Sequence, residues 1–212
     1  TLYSRLFYGL AARSATGLTR ERGLMSAKPE RFEYVIDAND VIVEINEAWT
    51  AFAEENDGEG LGRTVVGTWL WQHLAGLEVK HLFRVLLEKV RENQEPVQVP
   101  FRCDAPELRR SMMLELTPLE GHSVRFSSWI LEEEERPPVE LLRANREVVQ
   151  DSERVRMCAW CKRIGAGVGD WRDLEDALLE IELFQHDPLP RVIHAVCPDC
   201  QSMMLRKLAE AP

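Results

Sequence analysis

The 212-residue sequence lacks any stretch of about 18 apolar residues, so it predicts no membrane-spanning helix. Positive charge is also in short supply, because 36 acidic residues outnumber 26 lysines and arginines and give a formal net charge of −10. Such a chain repels a phosphate backbone unless it has a local basic face, so nucleic-acid binding is not expected. The N-terminal region has no continuous apolar segment of the kind found in secretory signals, and we therefore predict a cytoplasmic location.

Recognisable catalytic motifs are absent as well. The sequence contains no phosphate-binding P-loop and no evident serine–histidine–aspartate constellation. It also shows no histidine-kinase core, nucleotide-cyclase motif or helix-turn-helix. We therefore predict that the protein is not an enzyme and assign no catalytic residue. Because the sequence does not show whether its histidines and carboxylates meet in space, an enzyme stays as a weaker alternative.

Cysteine is scarce, but four of the five cysteines form two Cys-x-x-Cys pairs, Cys158 with Cys161 and Cys197 with Cys200. In a reducing compartment this pattern favours metal or redox chemistry over a disulfide framework. Four thiolates suit tetrahedral zinc. The second pair lies at a predicted helix start, where free N–H groups and the helix dipole stabilise thiolates. We predict a zinc site with no open coordination position, which makes it structural.

Alternatives stay open for this site and its surroundings. His194, three residues before Cys197, either replaces one thiolate or donates a hydrogen bond to a sulfur. The four cysteines alternatively act as a redox sensor that releases zinc and forms disulfides. Cys103 is expected to be a buried thiol. A basic cluster near the first pair indicates a solvated surface, a partner for the acidic helix, or a nucleic-acid-binding regulator as a lower alternative; its members are Arg154, Arg156, Lys162 and Arg163.

The order of predicted elements indicates an α+β fold. Alternating apolar residues from Phe32 to Ile45, interrupted by turn residues 37–40, predict a β-hairpin. Asn46 is expected to cap a short helix, and apolar residues from Val79 to Val90 recur at helical spacing over about four turns. Three further strands are predicted between Val97 and Ile130. Two strands, several helices and three strands together predict a five-stranded antiparallel sheet with helices on one face.

The chain divides into four predicted parts. Residues 1–30 are expected to be a disordered N-terminal extension; since Met25 is the first methionine, residues 1–24 are alternatively a targeting segment or lie outside the natural product. Residues 31–132 form the sheet domain, and residues 133–156 form a linker, beginning in the acidic run 132–135, and a connecting helix from Val139 to about Val155. Within that helix Leu141, Val148 and Val155 form a weak heptad seam. Residues 157–212 form a small, mostly helical module stapled by the metal.

Several segments carry a resemblance to known families. The two predicted strands of the hairpin, followed by Trp49, Phe52 and Ala53 and then Val66-Gly67, resemble a PAS domain, a sensory α+β fold. Residues 101–106, with Arg109 and Arg110, look like a signature of bacterial PAS-containing proteins of uncharacterised role. The cysteine pairs with Trp171 and His194 are similar to a module that follows PAS domains in bacterial signalling proteins. A knuckle followed by a pair on a helix N-terminus also resembles a treble-clef zinc finger.

The resemblance implies that the sheet domain binds a ligand between sheet and helices or mediates dimerisation. Six residues are candidates for such a pocket, although a structural role, in the core, at the surface or in a local turn, is the preferred interpretation of each: Trp49, Phe52, Trp69, His73, Arg102 and Asp104. The Asn-Cys-Arg-Phe type of motif of flavin-binding relatives is missing, and His81, the helix histidine in the position a haem would need, lies opposite the apolar stripe. Zinc is therefore the expected cofactor, and flavin and haem are not expected.

These observations predict a cytosolic signal-transduction sensor or adaptor. The PAS-like domain would sense a small molecule or a partner, and the zinc module would provide an interaction surface. Because no output motif is recognisable, the signal would pass to a partner protein, or through a homodimer formed by the PAS-like domain or the connecting helix. A thiol-based redox sensor is the main alternative.

Overall fold

The computed structural model describes residues 29–56, 58, 60–143, 154–167, 169–180 and 189–210. The predicted N-terminal extension up to residue 28 and residues 144–153 of the predicted connecting helix, including Val148, lie outside the described residues. Within the described part, no helix has the length and apolar character needed to cross a membrane.

The first sheet is antiparallel and has five strands in the order β2-β1-β5-β4-β3. The strands are β1 (Phe32–Ile36), β2 (Ile42–Ile45), β3 (Val97–Arg102), β4 (Leu108–Pro118) and β5 (Val124–Glu135). Alternation places Phe32, Tyr34 and Ile36 in the core. The predicted hairpin is confirmed: Asp37 Oδ1 accepts hydrogen bonds from the backbone N–H groups of Asn39 and Val41, both at 2.9 Å, and closes the turn.

Helices cover one face of this sheet, as predicted. They are α1 (Glu47–Glu55), the single-turn α2 (Leu61–Thr64) and α3 (Leu77–Asn93), with a 3₁₀ turn at Leu70–Gln72. The predicted cap is confirmed, because Asn46 Oδ1 accepts a hydrogen bond from the N–H of Trp49 at 2.8 Å and starts α1. Helix α3 buries the predicted apolar stripe together with Leu87. The mixed α+β fold with helices on one face of a five-stranded antiparallel sheet is thus the fold of the protein.

The acidic run at residues 132–135 corrects one expectation. It was predicted to begin a linker, but it is the exposed end of β5 and pairs with the start of β4. Arg109 and Arg110 lie opposite Glu134 and Glu133 across the two strands. Opposite charges at facing positions stabilise a strand pair, which explains why four consecutive glutamates extend the sheet. The boundaries between the predicted domains stay a prediction.

The C-terminal part contains a second sheet, of four strands. Its order is β8-β7-β6-β9, and its strands are β6 (Arg154–Cys158), β7 (Ile164–Gly165), β8 (Trp171–Arg172) and β9 (Arg191–Ala195). Two helices accompany it, α4 (Leu174–Glu180) and α5 (Pro198–Glu210). The predicted helix from Val139 to Val155 was wrong at both described ends, because residues 140–142 form a 3₁₀ turn and Val155 lies in β6.

The two parts share one apolar core. The main buried cluster joins the helix-covered face of the first sheet to Cys158, Ala159, Trp160, Cys197 and Met204. A smaller cluster beneath the second sheet contains Val155, Met157, Ile164 and Leu174. Burial of apolar surface is the main stabilising term in folding, so the cysteine-bearing segment and the first sheet stabilise each other.

Candidate metal centre

The first cysteine pair lies in a tight turn between β6 and β7. The backbone N–H of Cys158 donates to Arg163 O at 2.7 Å, and the N–H of Lys162 donates to Cys158 O at 3.0 Å. Lys162 has φ +65°, in the left-handed region, and this reverses the chain directly after Cys161. The turn therefore forms a knuckle, residues 158–163.

The second pair lies at the start of α5. The N–H of Gln201 donates to Cys197 O at 3.0 Å, so Cys197 directly precedes the helix, which begins at Pro198, and Cys200 occupies its first turn. Sulfur atoms accept backbone hydrogen bonds here: Cys197 N–H donates to Cys158 Sγ at 3.3 Å, and Cys200 N–H donates to Cys197 Sγ at 3.5 Å. Such bonds, together with the positive end of the helix dipole, favour thiolates.

Parallel pairing of β6 with β9 brings the two pairs together. Cys158 lies opposite Ala195, and the N–H of Ala159 donates to Ala195 O at 2.8 Å. This places the knuckle against the residues that lead into Cys197. Cys197 follows Cys161 by 36 positions, and α4 lies between them in sequence. The sheet therefore brings the two cysteine pairs together.

The four sulfur atoms lie within 4.8 Å of one another, and those of Cys161 and Cys197 are 3.6 Å apart. Zinc–sulfur bonds of about 2.3 Å in a tetrahedron place sulfurs about 3.8 Å apart, whereas a disulfide requires about 2.05 Å. All four cysteines are free thiols, and three of them are buried. The cluster fits a single metal ion such as zinc.

The electrostatics of the cluster also favour a cation. Hydrogen bonds from the other three thiols hold the pKa of Cys158 far below its ordinary value. Hydrogen bonding to Cys158 raises the pKa values of Cys161 and Cys200 well above theirs. Cys158 also raises the pKa of Cys197, but Cys161 and Cys200 outweigh this and lower it to about 7. A divalent ion at this centre would replace the remaining thiol protons and stabilise every sulfur as a thiolate.

His194 lies in β9 and outside the four-cysteine cluster. Burial, followed by the nearby Lys162 cation, lowers the pKa of His194 to about 4, so its ring is neutral at pH 7. Its backbone carbonyl faces Gly76 at the start of α3. Cys103 is buried directly after β3, where its N–H donates to Arg110 O at 3.1 Å.

The predicted basic cluster does not form one exposed face. Lys162 is 1% exposed, and its Nζ donates to Ala159 O at 3.3 Å. Arg163 pairs with Asp173, directly before α4, and with Asp199 in α5. Arg156 lies over the ring of Trp171 at 5.1 Å. Two members of this cluster, Lys162 and Arg163, thus have intramolecular partners.

The six candidates for a ligand pocket are distributed over several elements of the sheet domain. Trp49 is in the core, and Phe52 stacks on Phe32 at 4.3 Å. Trp69 is 47% exposed, and its Nε1 donates to Asn39 O at 3.1 Å beside β2. His73 Nε2 lies 2.7 Å from Thr68 Oγ1.

Arg102 and Asp104, the other two candidates, lie at the opposite edge of the sheet, at the end of β3. They belong to a buried ion-pair network that sequence reasoning missed. Asp104 accepts hydrogen bonds from Arg102 Nε at 3.2 Å and from Arg136 Nη1 at 3.0 Å. Both arginines also contact Glu175 in α4, at 2.9 and 2.8 Å. The network ties β3, the segment after β5 and α4 together.

No protein-family model matches the chain, and no curated protein matches its sequence. The class of the molecule therefore follows from its own fold and site. It is an α+β protein with a five-stranded antiparallel sheet and a C-terminal four-cysteine cluster suited to a metal ion.

Proposed function

We propose that the protein is a signal-transduction sensor or adaptor in which a PAS-like domain is coupled to a structural zinc module. The observation that carries the proposal is the position of Trp160. This residue lies between two cysteines of the knuckle, yet it is 4% exposed and contacts Phe83 of α3 with ring centroids 5.1 Å apart. A change in the sheet domain is therefore transmitted to the module through packed side chains.

The five-stranded antiparallel sheet with helices on one face supports the PAS resemblance. A site with four cysteine ligands leaves no open coordination position, which supports a structural role for the metal. Output then depends on a partner protein that reads the surface of the module.

The test has two stages. Elemental analysis of the purified protein should find about one zinc per chain, and Cys197→Ser with Cys200→Ser should lose it. Proximity labelling in the source cells should then enrich proteins with signalling output domains around the wild-type chain. Loss of this enrichment in the double variant supports the proposal. The matched control is Cys103→Ser, which removes a buried thiol outside the cluster and should keep both zinc and partners. The proposal would be overturned if wild-type protein, prepared under reducing conditions and without chelator, contained no zinc.

A thiol-based redox sensor is a second candidate, and the exposure of Cys161 favours it. Cys161 is the one cysteine of the cluster that is not buried, and its sulfur lies 3.6 Å from Cys197 Sγ. Hydrogen peroxide oxidises two thiolates to one disulfide and is itself reduced to two molecules of water with uptake of two protons. The disulfide removes two ligands from the metal. Zinc release together with a disulfide under mild peroxide supports this candidate. Zinc retained under the same conditions excludes it.

A further inference from the structure

A small apolar cavity lies between the first sheet, the start of α3 and the knuckle. Its volume is about 20 Å³, room for about one water-sized molecule. Phe83, Phe101 and Leu114 line it from α3, β3 and β4, and Ala159 and Trp160 line it from the knuckle. The residues between two metal-ligand candidates thus form one wall of a cavity in the sheet domain.

Trp160 is one of the residues that line this cavity. Its backbone is well held, because Trp160 O accepts a hydrogen bond from the N–H of Arg102 at 2.7 Å. Its indole ring, by contrast, is held by apolar packing in the main buried cluster, where it contacts Phe83. The Nε1 atom is buried and has no hydrogen-bond partner among the described residues. A buried donor without an acceptor weakens the hold on the side chain that carries it.

The turn that carries Trp160 also carries the first pair of metal-ligand candidates. Lys162 holds φ +65°, which is unfavourable for a residue with a side chain. The sulfurs of Cys158 and Cys161 flank the indole in sequence and meet those of the second pair within 4.8 Å. Structural metal ions supply folding energy to such turns, and without the metal the turn loses that support.

From this arrangement we propose that the knuckle is a removable plug, so that the metal-free protein exposes a binding site for a planar, apolar molecule the size of an indole ring. In the metal-bound form the side chain of Trp160 occupies this site. The ligand would stack against Phe83 and lie beside Phe101 and Leu114. This inference rests on the metal site of the proposed function and adds the class of ligand to it.

The proposal predicts a measurable coupling between ligand binding and metal binding. A ligand and a plug that compete for one site make the ligand weaken metal binding, and by reciprocity the metal weakens ligand binding. If the plug is removed by mutation, the competition disappears. In Trp160→Gly, a free indole would fill the vacated space and support the knuckle, so the sign of the coupling reverses.

The experiment measures zinc affinity by competition with a chromophoric chelator, with and without saturating free indole. Indole should weaken the zinc affinity of the wild-type protein by at least about fivefold, the lower end of typical coupling between sites. In Trp160→Gly, indole should strengthen zinc binding and raise the Tm. Trp129→Gly is the matched control, since Trp129 is partly exposed on β5, with Arg31 4.3 Å from its ring, and its removal opens no enclosed space for indole in the core. In this control, indole should weaken zinc binding as it does in the wild type.

The outcomes separate the two proposals. A wild-type protein that binds zinc with an affinity unchanged by indole overturns the plug and leaves the proposed function standing. A wild-type protein that binds no zinc overturns both. If Trp160→Gly does not fold, the wild-type measurement alone decides, because the predicted weakening of zinc binding needs no variant.

Discussion

Replacement of Asp104 should destabilise the protein strongly, because this carboxylate is the centre of the buried ion-pair network. Its side chain is fully buried and pairs with Arg102 and Arg136. Asp104→Ala leaves two guanidinium groups in a site where their side chains are 10% and 9% exposed. Removing one partner of a buried ion pair costs about 3–5 kcal/mol, since the remaining charge loses its compensation. Glu175 still contacts both arginines, so we expect the lower part of this range.

The assay is urea unfolding of the metal-loaded protein, followed by far-UV circular dichroism. With an m-value of about 2 kcal/mol/M, a loss of about 3 kcal/mol lowers the midpoint by about 1.5 M. Glu115→Ala is the matched control, because Glu115 also pairs with an arginine on the sheet. In that pair, Arg31 is 39% exposed. Partly exposed pairs of this kind contribute about 0–1 kcal/mol.

A second substitution tests the physical reason itself. If uncompensated charge causes the loss, adding Arg136→Met to Asp104→Ala should be neutral or should restore stability, although Arg136→Met alone should destabilise. A midpoint for Asp104→Ala no lower than that of Glu115→Ala would refute the reasoning. Strictly additive effects of Asp104→Ala and Arg136→Met would show that the two side chains do not interact.

Two further predictions concern single contacts: that of Glu175 in α4 with Arg102, and that of Gly76, directly before α3, with His194. Burial raises the pKa of Glu175, but hydrogen bonds from Arg102 outweigh this and lower it. The stabilisation by ionised Glu175 is therefore fully present above its unfolded-state pKa of about 4.3 and is lost as the pH falls through its lower folded-state pKa. Glu175→Gln should therefore make the free energy of unfolding fall less steeply at acid pH. An unchanged fall would contradict this. Gly76 has φ +88°, and a Cβ there would lie 2.8 Å from His194 O, whereas Gly121 has φ +67° and open space. Gly76→Ala should therefore cost about 1–3 kcal/mol more than Gly121→Ala in the same urea assay, and equal losses would contradict the contact.

The parts of the fold that could be predicted are those whose cause is local. Alternation in β1 and the apolar stripe of α3 are repeated many times over a short segment, and tertiary packing preserved both. The Cys-x-x-Cys spacing is likewise local, and its doubling made the metal site the firmest expectation. The glutamates at the end of β5 show the opposite case. Their strand partners, Arg109 and Arg110, lie more than 20 residues upstream, so composition alone indicated a linker.

The candidate site shows the same limit. Arg102 and Asp104 stand out in the sequence as a pair. Their other partners are distant: Arg136 follows Asp104 by 32 residues and Glu175 follows Arg102 by 73, so only the fold brings them close. Lys162 was grouped with solvated neighbours because charge predicts exposure. Its burial follows from a turn in which Lys162 itself has a left-handed backbone. Glycine usually marks such a position, and the knuckle has none there.

The shared core changes what a metal at the four cysteines does energetically. In an independent module, metal binding would stabilise the module alone. Here Trp160 and Met204 lie in the same buried cluster as Phe83 and Leu114, and the ion-pair network joins α4 to the sheet edge. Anything that binds the native state but not the unfolded state stabilises every element that unfolds with it. A metal at this centre would therefore stabilise the first sheet as well, and any ligand that bound the native sheet domain would alter the metal affinity in turn.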